Sequence, residues 1–114
     1  MPLLRLTYPT TLVLYAVARG HAYGFDLVEA TALGSGTVYP ILRRLEGAGL
    51  LRGRAERAPQ AHRAGRPPRR YYTVTGTGAE ALRAALDRHP AVVAALAAAR
   101  GAPGPGGAPR PRLA

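Results

Sequence analysis

The side chains in this sequence whose chemistry is clearest are arginines, and that chemistry is anion binding. The chain of 114 residues carries 16 Arg and Lys residues, all of them Arg, against 6 Asp and Glu, for a formal charge of +10. A guanidinium presents a planar fork of N–H donors that fits a phosphate or the O6/N7 edge of guanine. This excess of positive charge indicates a polyanionic partner, either nucleic acid or an anionic membrane surface.

Two stretches combine these arginines with groups suited to DNA contact. In the first stretch, residues 35–44, hydroxyl groups can donate to phosphate or base. Gly36 there permits close approach of the protein backbone to DNA, and Arg43 can form a forked contact to guanine. No Asn or Gln lies there, so the usual reader of adenine is missing, and phosphate contacts and DNA shape must supply much of the recognition. The predicted DNA-binding residues are Ser35, Gly36, Thr37, Tyr39, Pro40, Arg43 and Arg44, then Arg66, Pro67, Arg69 and Arg70, with Tyr23 upstream.

Residue types that would support catalysis or metal binding are scarce or badly spaced. Ser35 is the only serine and lacks a nucleophile-elbow context, and cysteine is absent. The histidines, His21, His62 and His89, show no metal-ligand spacing. Asp26 and Glu29 are expected to form a solvated helix face. We therefore expect no enzyme activity, no metal and no cofactor.

Three helices are predicted in the first half of the chain. The first spans Thr10 to Arg19, between Pro9 and Gly20, and the second spans Gly24 to Thr31. In the third, Val38, Ile41, Leu42 and Leu45 form one apolar stripe and are expected in the core. Its cap is either Ser35 or Thr37. Either choice predicts an irregular start, because Pro40 lies close behind.

A hairpin and a final helical stretch are predicted after these helices. Strands over Leu51 to Glu56 and Arg70 to Thr75 flank a basic loop from Ala58 to Arg69, and one of Tyr71 and Tyr72 should be core. A capping box at Thr77 to Glu80 opens the last stretch, which Pro90 should kink or split. The predicted organisation is a DNA-binding domain over 1–76, a dimerisation helix over 77–100 and a disordered Gly/Pro/Arg tail over 101–114.

This order of elements predicts an α+β fold, mostly α, of the winged helix-turn-helix type. Three helices are followed by a two-stranded β-hairpin wing, and the third is the recognition helix that enters the major groove of DNA. A C-terminal dimerisation helix follows the wing. The longest apolar run, Ala91 to Ala99, is far shorter than the roughly 20 residues that span a bilayer. With no signal-peptide pattern at the start, the sequence predicts a soluble, cytoplasmic protein.

Three blocks of the sequence resemble the PadR family of bacterial transcriptional regulators. The blocks are HAYGFDL at 21–27, SGTVYPILRRLEGAGL at 35–50 and GRPPRRYYTVTGTG at 65–78, and they occur in the family's order. The match is to short-form members, which carry only a dimerising helix after the wing. The sequence departs from the family pattern at Ala22, at the Ser35–Gly36 step, at the extra Pro68, and in a final helix without aromatic residues.

The resemblance implies a homodimeric repressor that a small aromatic or drug-like effector, or a partner protein, releases from DNA. A two-fold dimer would bind a pseudo-palindromic operator with half-sites about 34 Å apart. The predicted dimer contacts are Leu82, Leu86, Val93 and Leu96. Two other readings stay open at this point: a winged-helix module that docks protein or RNA without a specific operator, and a DNA-packaging protein without sequence preference.

Overall fold

A computed structural model describes the chain over residues 5–101, with side chains up to residue 99. Six helices and a two-stranded antiparallel sheet follow one another in the order expected of a winged helix. The elements are α1 (Tyr8–Ala18), α2 (Gly24–Thr31), α3 (Ser35–Gly47), β1 (Leu51–Ala55), α4 (Ala58–Arg63), β2 (Arg70–Val74), α5 (Gly76–Arg88) and α6 (Ala91–Gly101). The predicted fold class is confirmed. Within the described residues, no helix is both long and apolar enough to cross a bilayer.

Helix α1 is the centre of the core. It packs against α2, α3, α5, α6 and β2, and Leu12, Val13 and Leu14 are all buried on successive sides of it. A helix enclosed on several sides needs apolar residues around its whole circumference, which explains the uninterrupted apolar run in its sequence. The helix begins two residues earlier than predicted, because Thr7 caps it and Pro9 is accommodated in its first turn.

The second and third helices form the helix-turn-helix. Helix α2 has the predicted bounds, and its C-cap is Ala32, whose φ is 61°. The predicted apolar stripe of α3 is confirmed, since Val38, Ile41, Leu42 and Leu45 are buried. The cap is neither Ser35 nor Thr37 but Gly34.

The expected irregular start of α3 is wrong. Pro40 lies inside an uninterrupted helix. The missing Pro40 N–H would have bonded the carbonyl of Gly36, which lies in the exposed first turn of the helix, where water can satisfy it.

The hairpin pairs Leu51 with Val74 and Ala55 with Arg70 at its two ends, each strand one residue shorter than predicted. On its other side, the N–H of Tyr72 donates to the carbonyl of Ala22 at 2.7 Å. Strand β2 is thereby held between β1 and the segment that leads into α2. Tyr72 is buried in the core, as predicted for one of the two tyrosines.

The segment between the strands is more ordered than the predicted loop. It contains the short helix α4, whose C-cap is followed by Gly65 with φ at 73°, and the Arg66 N–H donates back to the carbonyl of Ala61. This is a Schellman-type ending, and Ala61 beneath it is fully buried. The Pro and Gly residues of this segment predicted a loop, although part of it forms a helix of less than two turns.

The C-terminal half differs from the prediction at the cap of α5 and agrees with it at Pro90. Helix α5 is capped by Thr75, whose hydroxyl accepts from the N–H of Gly78, rather than by a box starting at Thr77. Pro90 splits the final stretch into α5 and α6, one of the two predicted outcomes. Helix α6 continues to Gly101, while residues 102–114 of the predicted tail lie outside the described residues.

The expectation of a solvated face for Asp26 is also wrong. Its carboxylate lies 3.0 Å from Nδ1 of His21, and both side chains are largely buried. Phe25, the residue before it, is 63% exposed. Helix α2 therefore turns the Asp26 carboxylate inward and the Phe25 ring outward, because His21, just before the helix, places its imidazole beside that carboxylate. Glu29 is exposed, as expected.

Candidate nucleic-acid interface

The outer face of α3 carries the first group of predicted DNA-binding residues. These residues lie opposite the buried stripe and are exposed, apart from the half-buried Pro40: Ser35, Gly36, Thr37, Tyr39, Arg43 and Arg44. The side chains that fix the helix and those left for a partner thus lie on opposite faces. The structure brings hydroxyl, backbone and guanidinium donors together on one convex surface.

Tyr39 connects this surface to α2. Its ring covers the backbone of Gly24 so closely that a Cβ at position 24 would overlap the ring atoms. Gly24 is therefore required for this packing rather than for an unusual backbone angle. Tyr39 remains 41% exposed, so one side of the side chain sets the spacing of α2 and α3 while the other faces solvent.

Aromatic contacts connect the start of α2 to the wing. The rings of Tyr23 and Tyr71 meet edge to face with centroids 5.8 Å apart. The guanidinium of Arg69 lies 3.9 Å from the centroid of the Tyr23 ring, a cation–π contact. Two residues that the sequence placed in separate candidate regions, Tyr23 and Arg69, therefore belong to one surface.

Arg66 is held by a carboxylate. Its guanidinium forms a two-pronged pair with Glu56, with Nη2 donating to Oε2 at 2.9 Å. The Arg66 hydrogen bond, together with the Arg69 N–H and opposed by burial, lowers the pKa of Glu56 to about 2. The same pair raises the pKa of Arg66. The sequence predicted a DNA contact for Arg66, and it gave no sign of this internal partner.

Arg70 also has an internal partner. Its Nη2 lies 2.6 Å from Oε2 of Glu46, near the C-terminal end of α3. The pair crosses the backbone of Gly53, where a Cβ would lie within 2.8 Å of both side chains. Arg70 thus links the wing to the recognition helix while remaining about half exposed.

The structure reveals further exposed arginines that the sequence analysis did not select. Arg52 and Arg54 lie on one face of β1, and Arg57 lies at the start of α4. The alternation of Arg with small residues along β1 was the available signal, because a period of two places both side chains on the same face.

The four predicted dimer contacts do not form a single stripe. Leu82 and Leu96 are 8% and 2% exposed, within the core of the chain itself. Leu86 is partly buried and Val93 is 45% exposed. The break at Pro90 separates the two helices, so the 3.6-residue period that joined these residues in sequence does not continue in space.

An open groove of about 630 Å³ lies between the end of α1, strand β2 and α5. Its lining is mainly apolar, with Arg83 among its few charged or polar groups. Its lining includes Val17, Tyr72, Leu82, Arg83 and Leu86.

A helix-turn-helix with an exposed, arginine-bearing third helix and a basic hairpin wing defines a winged-helix DNA-binding protein. The model of the PadR-like family of transcriptional regulators matches residues 13–84, from α1 into α5. This chain belongs to the PadR-like family. Its members are transcription regulators and not enzymes.

Solved structures support the same assignment. A PadR-like transcription factor from Bacteroides fragilis is 26% identical, with 75% of this chain and 85% of that chain covered at a TM-score of 0.57. A PadR family transcriptional regulator from Eggerthella lenta is 29% identical, with 76% and 79% covered at a TM-score of 0.55. A PadR family regulator from Clostridium difficile, at 18% identity and a TM-score of 0.60 over 81% and 95% of the chains, shows the shared fold. Comparison with curated proteins gave no match.

Proposed function

We propose that this chain is a sequence-specific DNA-binding repressor that acts as a homodimer in the bacterial cytoplasm. The observation that carries the proposal is the exposed face of α3. It places Arg43 and Arg44 beside Ser35 and Thr37 on the helix that the fold presents to the major groove.

Within this interface the residues have different roles. Arg43 and Arg44 read base edges, and the hydroxyls of Ser35 and Thr37 with the amides at the start of α3 bind phosphate. Gly36 lets the backbone of α3 approach DNA, and Pro40, one turn further along the helix, lies on the same face. Tyr39 contacts the DNA backbone with its exposed side.

The wing extends the interface. Arg69 and Pro67 approach the minor groove, where negative potential is concentrated over A/T tracts. Tyr23 supports Arg69 through the cation–π contact between its ring and the guanidinium. The exposed Arg52 and Arg54 add phosphate contacts along the wing. Arg70, which is paired with Glu46, approaches the DNA backbone.

The dimer is proposed to form through the C-terminal helices. Val93 is the largest exposed apolar side chain of α6, and the exposed alanines around it allow close approach of a second helix. Leu86 would join this contact from α5, while Leu82 and Leu96 support it from the core. A two-fold axis there places the two copies of α3 on half-sites about one turn of DNA apart.

We further propose a small aromatic or drug-like effector. The groove that contains Tyr72, Leu82 and Leu86 supports this, because an apolar ligand would gain from its lining while Arg83 offers a charged partner. Thermal stabilisation by such a compound, together with release of DNA, is the expected result. Stabilisation without release would separate the groove from regulation.

The proposal is tested by selecting DNA from a random library and titrating the protein onto the enriched sequence and a scrambled one at two salt concentrations. A preference of about a thousandfold or more is expected of a specific regulator. Equal, steeply salt-dependent binding to both would indicate DNA packaging instead. Absence of binding at low salt would favour a module that docks protein or RNA.

The Arg43→Ala variant tests base reading. Loss of a forked contact to guanine costs about 1–3 kcal/mol of discrimination, a factor of roughly 5 to 150 in affinity for the selected sequence. Binding to scrambled DNA should change far less. Equal losses on both sequences would assign Arg43 to phosphate rather than to a base.

A further inference from the structure

The wing contains a buried acid that the DNA-binding surface does not explain. We propose that Glu56 is a positioning residue for DNA binding, which folds the wing tip and aims Arg69, and that Arg66 is its internal partner rather than a DNA-reading arginine. This inference rests on the proposed function.

The carboxylate of Glu56 is the meeting point of the wing. Its side chain is only 5% exposed, and it accepts from the Arg66 guanidinium, from the Arg69 backbone N–H at 3.0 Å and, at 3.5 Å, from the Tyr71 hydroxyl. Charge-assisted hydrogen bonds of this kind are stronger than neutral ones and fix geometry when they are forked. Three residues of the wing, Arg66, Arg69 and Tyr71, are therefore held by one side chain.

These bonds close the segment between the strands. The Glu56 N–H donates to the Arg69 carbonyl at 2.7 Å while the Glu56 side chain binds the Arg69 N–H, so the two residues are joined in both directions. The segment between them contains α4, whose end is joined to Arg66 by the N–H of that residue. With both ends of the segment held, the guanidinium of Arg69 is held over the ring of Tyr23.

Two explanations of how the wing acts predict opposite effects on DNA binding when the Glu56 carboxylate is removed. If the wing acts only through its net positive charge, removal of the Glu56 carboxylate should tighten DNA binding, because one negative charge is lost near a polyanion. If Glu56 positions the wing, the same removal should weaken binding, since Arg66 and Arg69 must then be ordered when DNA binds. The sign of the change separates these explanations.

The first experiment compares Glu56→Gln with Glu80→Gln, a matched control on the exposed surface of α5. Both variants gain one unit of positive charge, and both are titrated onto the selected and scrambled DNA. We expect Glu56→Gln to bind the selected DNA about 5- to 50-fold more weakly, because the ordering of two long side chains opposes binding. Glu80→Gln should bind as well as wild type or slightly more tightly. Equal behaviour of the two variants would overturn the proposal.

The second experiment separates Arg66 from Arg69 through the salt dependence of binding. Loss of one phosphate contact lowers the slope of log affinity against log salt by about 0.9. We expect Arg69→Ala to lower the slope by this amount and Arg66→Ala to weaken binding without lowering it. An equal drop in slope for Arg66→Ala would overturn the assignment of Arg66 as an internal partner.

The Arg66→Lys variant covers the case in which the other variants fold poorly. Lysine keeps the charge but cannot form the two-pronged pair, so weaker binding with an unchanged slope is expected. Wild-type affinity in Arg66→Lys would contradict the proposal. The preference of the wild-type protein for selected DNA tests the proposed function separately, and absence of any DNA binding by wild type would overturn both.

Discussion

The junction between the wing and α5 offers a sharp prediction, the effect of Gly78→Ala. A Cβ at position 78 would collide with the carbonyl of Leu50 and lie 3.0 Å from the Val74 side chain. The carbonyl cannot easily move, because it accepts the N–H of Thr75 at 3.1 Å. The Gly78 N–H itself donates to the Thr75 hydroxyl, which in turn donates to the carbonyl of Gly49. The added methyl group therefore disturbs a connected set of bonds.

The size of the effect follows from these contacts. Overpacking costs about 1–3 kcal/mol. Loss of one hydrogen bond costs about 0.5–1.5 kcal/mol. We expect a decrease of about 2–4 kcal/mol in the free energy of unfolding, which corresponds to a drop in Tm of roughly 8–16 °C for a chain of this length.

Gly76→Ala is the matched control. Position 76 is the first residue of the same helix, and a Cβ there meets no atom within 4 Å. A modest gain of about 0.4–1 kcal/mol is expected, since alanine restricts the unfolded chain without straining the folded one. Urea unfolding followed by circular dichroism, at one fixed protein concentration because of the proposed dimer, measures both variants. Similar free energies for Gly78→Ala and Gly76→Ala would refute the close approach of Leu50 to α5.

Two further predictions concern the wing and the dimer. Because its pKa is lowered from 4.5 to about 2, Glu56 should contribute fully to stability above pH 4.5, and this contribution should disappear as the pH falls towards 2. An NMR titration of its carboxyl carbon should show the low midpoint, and a midpoint near 4.5 would contradict the buried pair. Val93→Glu should shift the protein from dimer to monomer in sedimentation equilibrium without unfolding it, because a charge would be buried at the proposed contact. An unchanged dimer would place the contact elsewhere.

The sequence alone determined the order of the elements and which face of α3 is buried. The stripe of Val38, Ile41, Leu42 and Leu45 fixed which face of α3 is buried, and hence which face carries Arg43 and Arg44. This succeeded because helical periodicity is a local property that a single buried face reports directly. The three family-like blocks were equally visible, and the family match confirms the resemblance that they carried.

The tertiary structure decided which charged groups find partners. Glu46 holds Arg70 and Glu56 holds Arg66, across separations in sequence of 24 and 10 residues. Only the hairpin register and the packing of the wing against α3 bring them together, and no local pattern encodes a pair of this kind. For the same reason Asp26, whose carboxylate is buried against His21, was expected on a solvated helix face. Periodicity predicts which face is apolar, but the fate of a charge depends on which distant group folding places beside it.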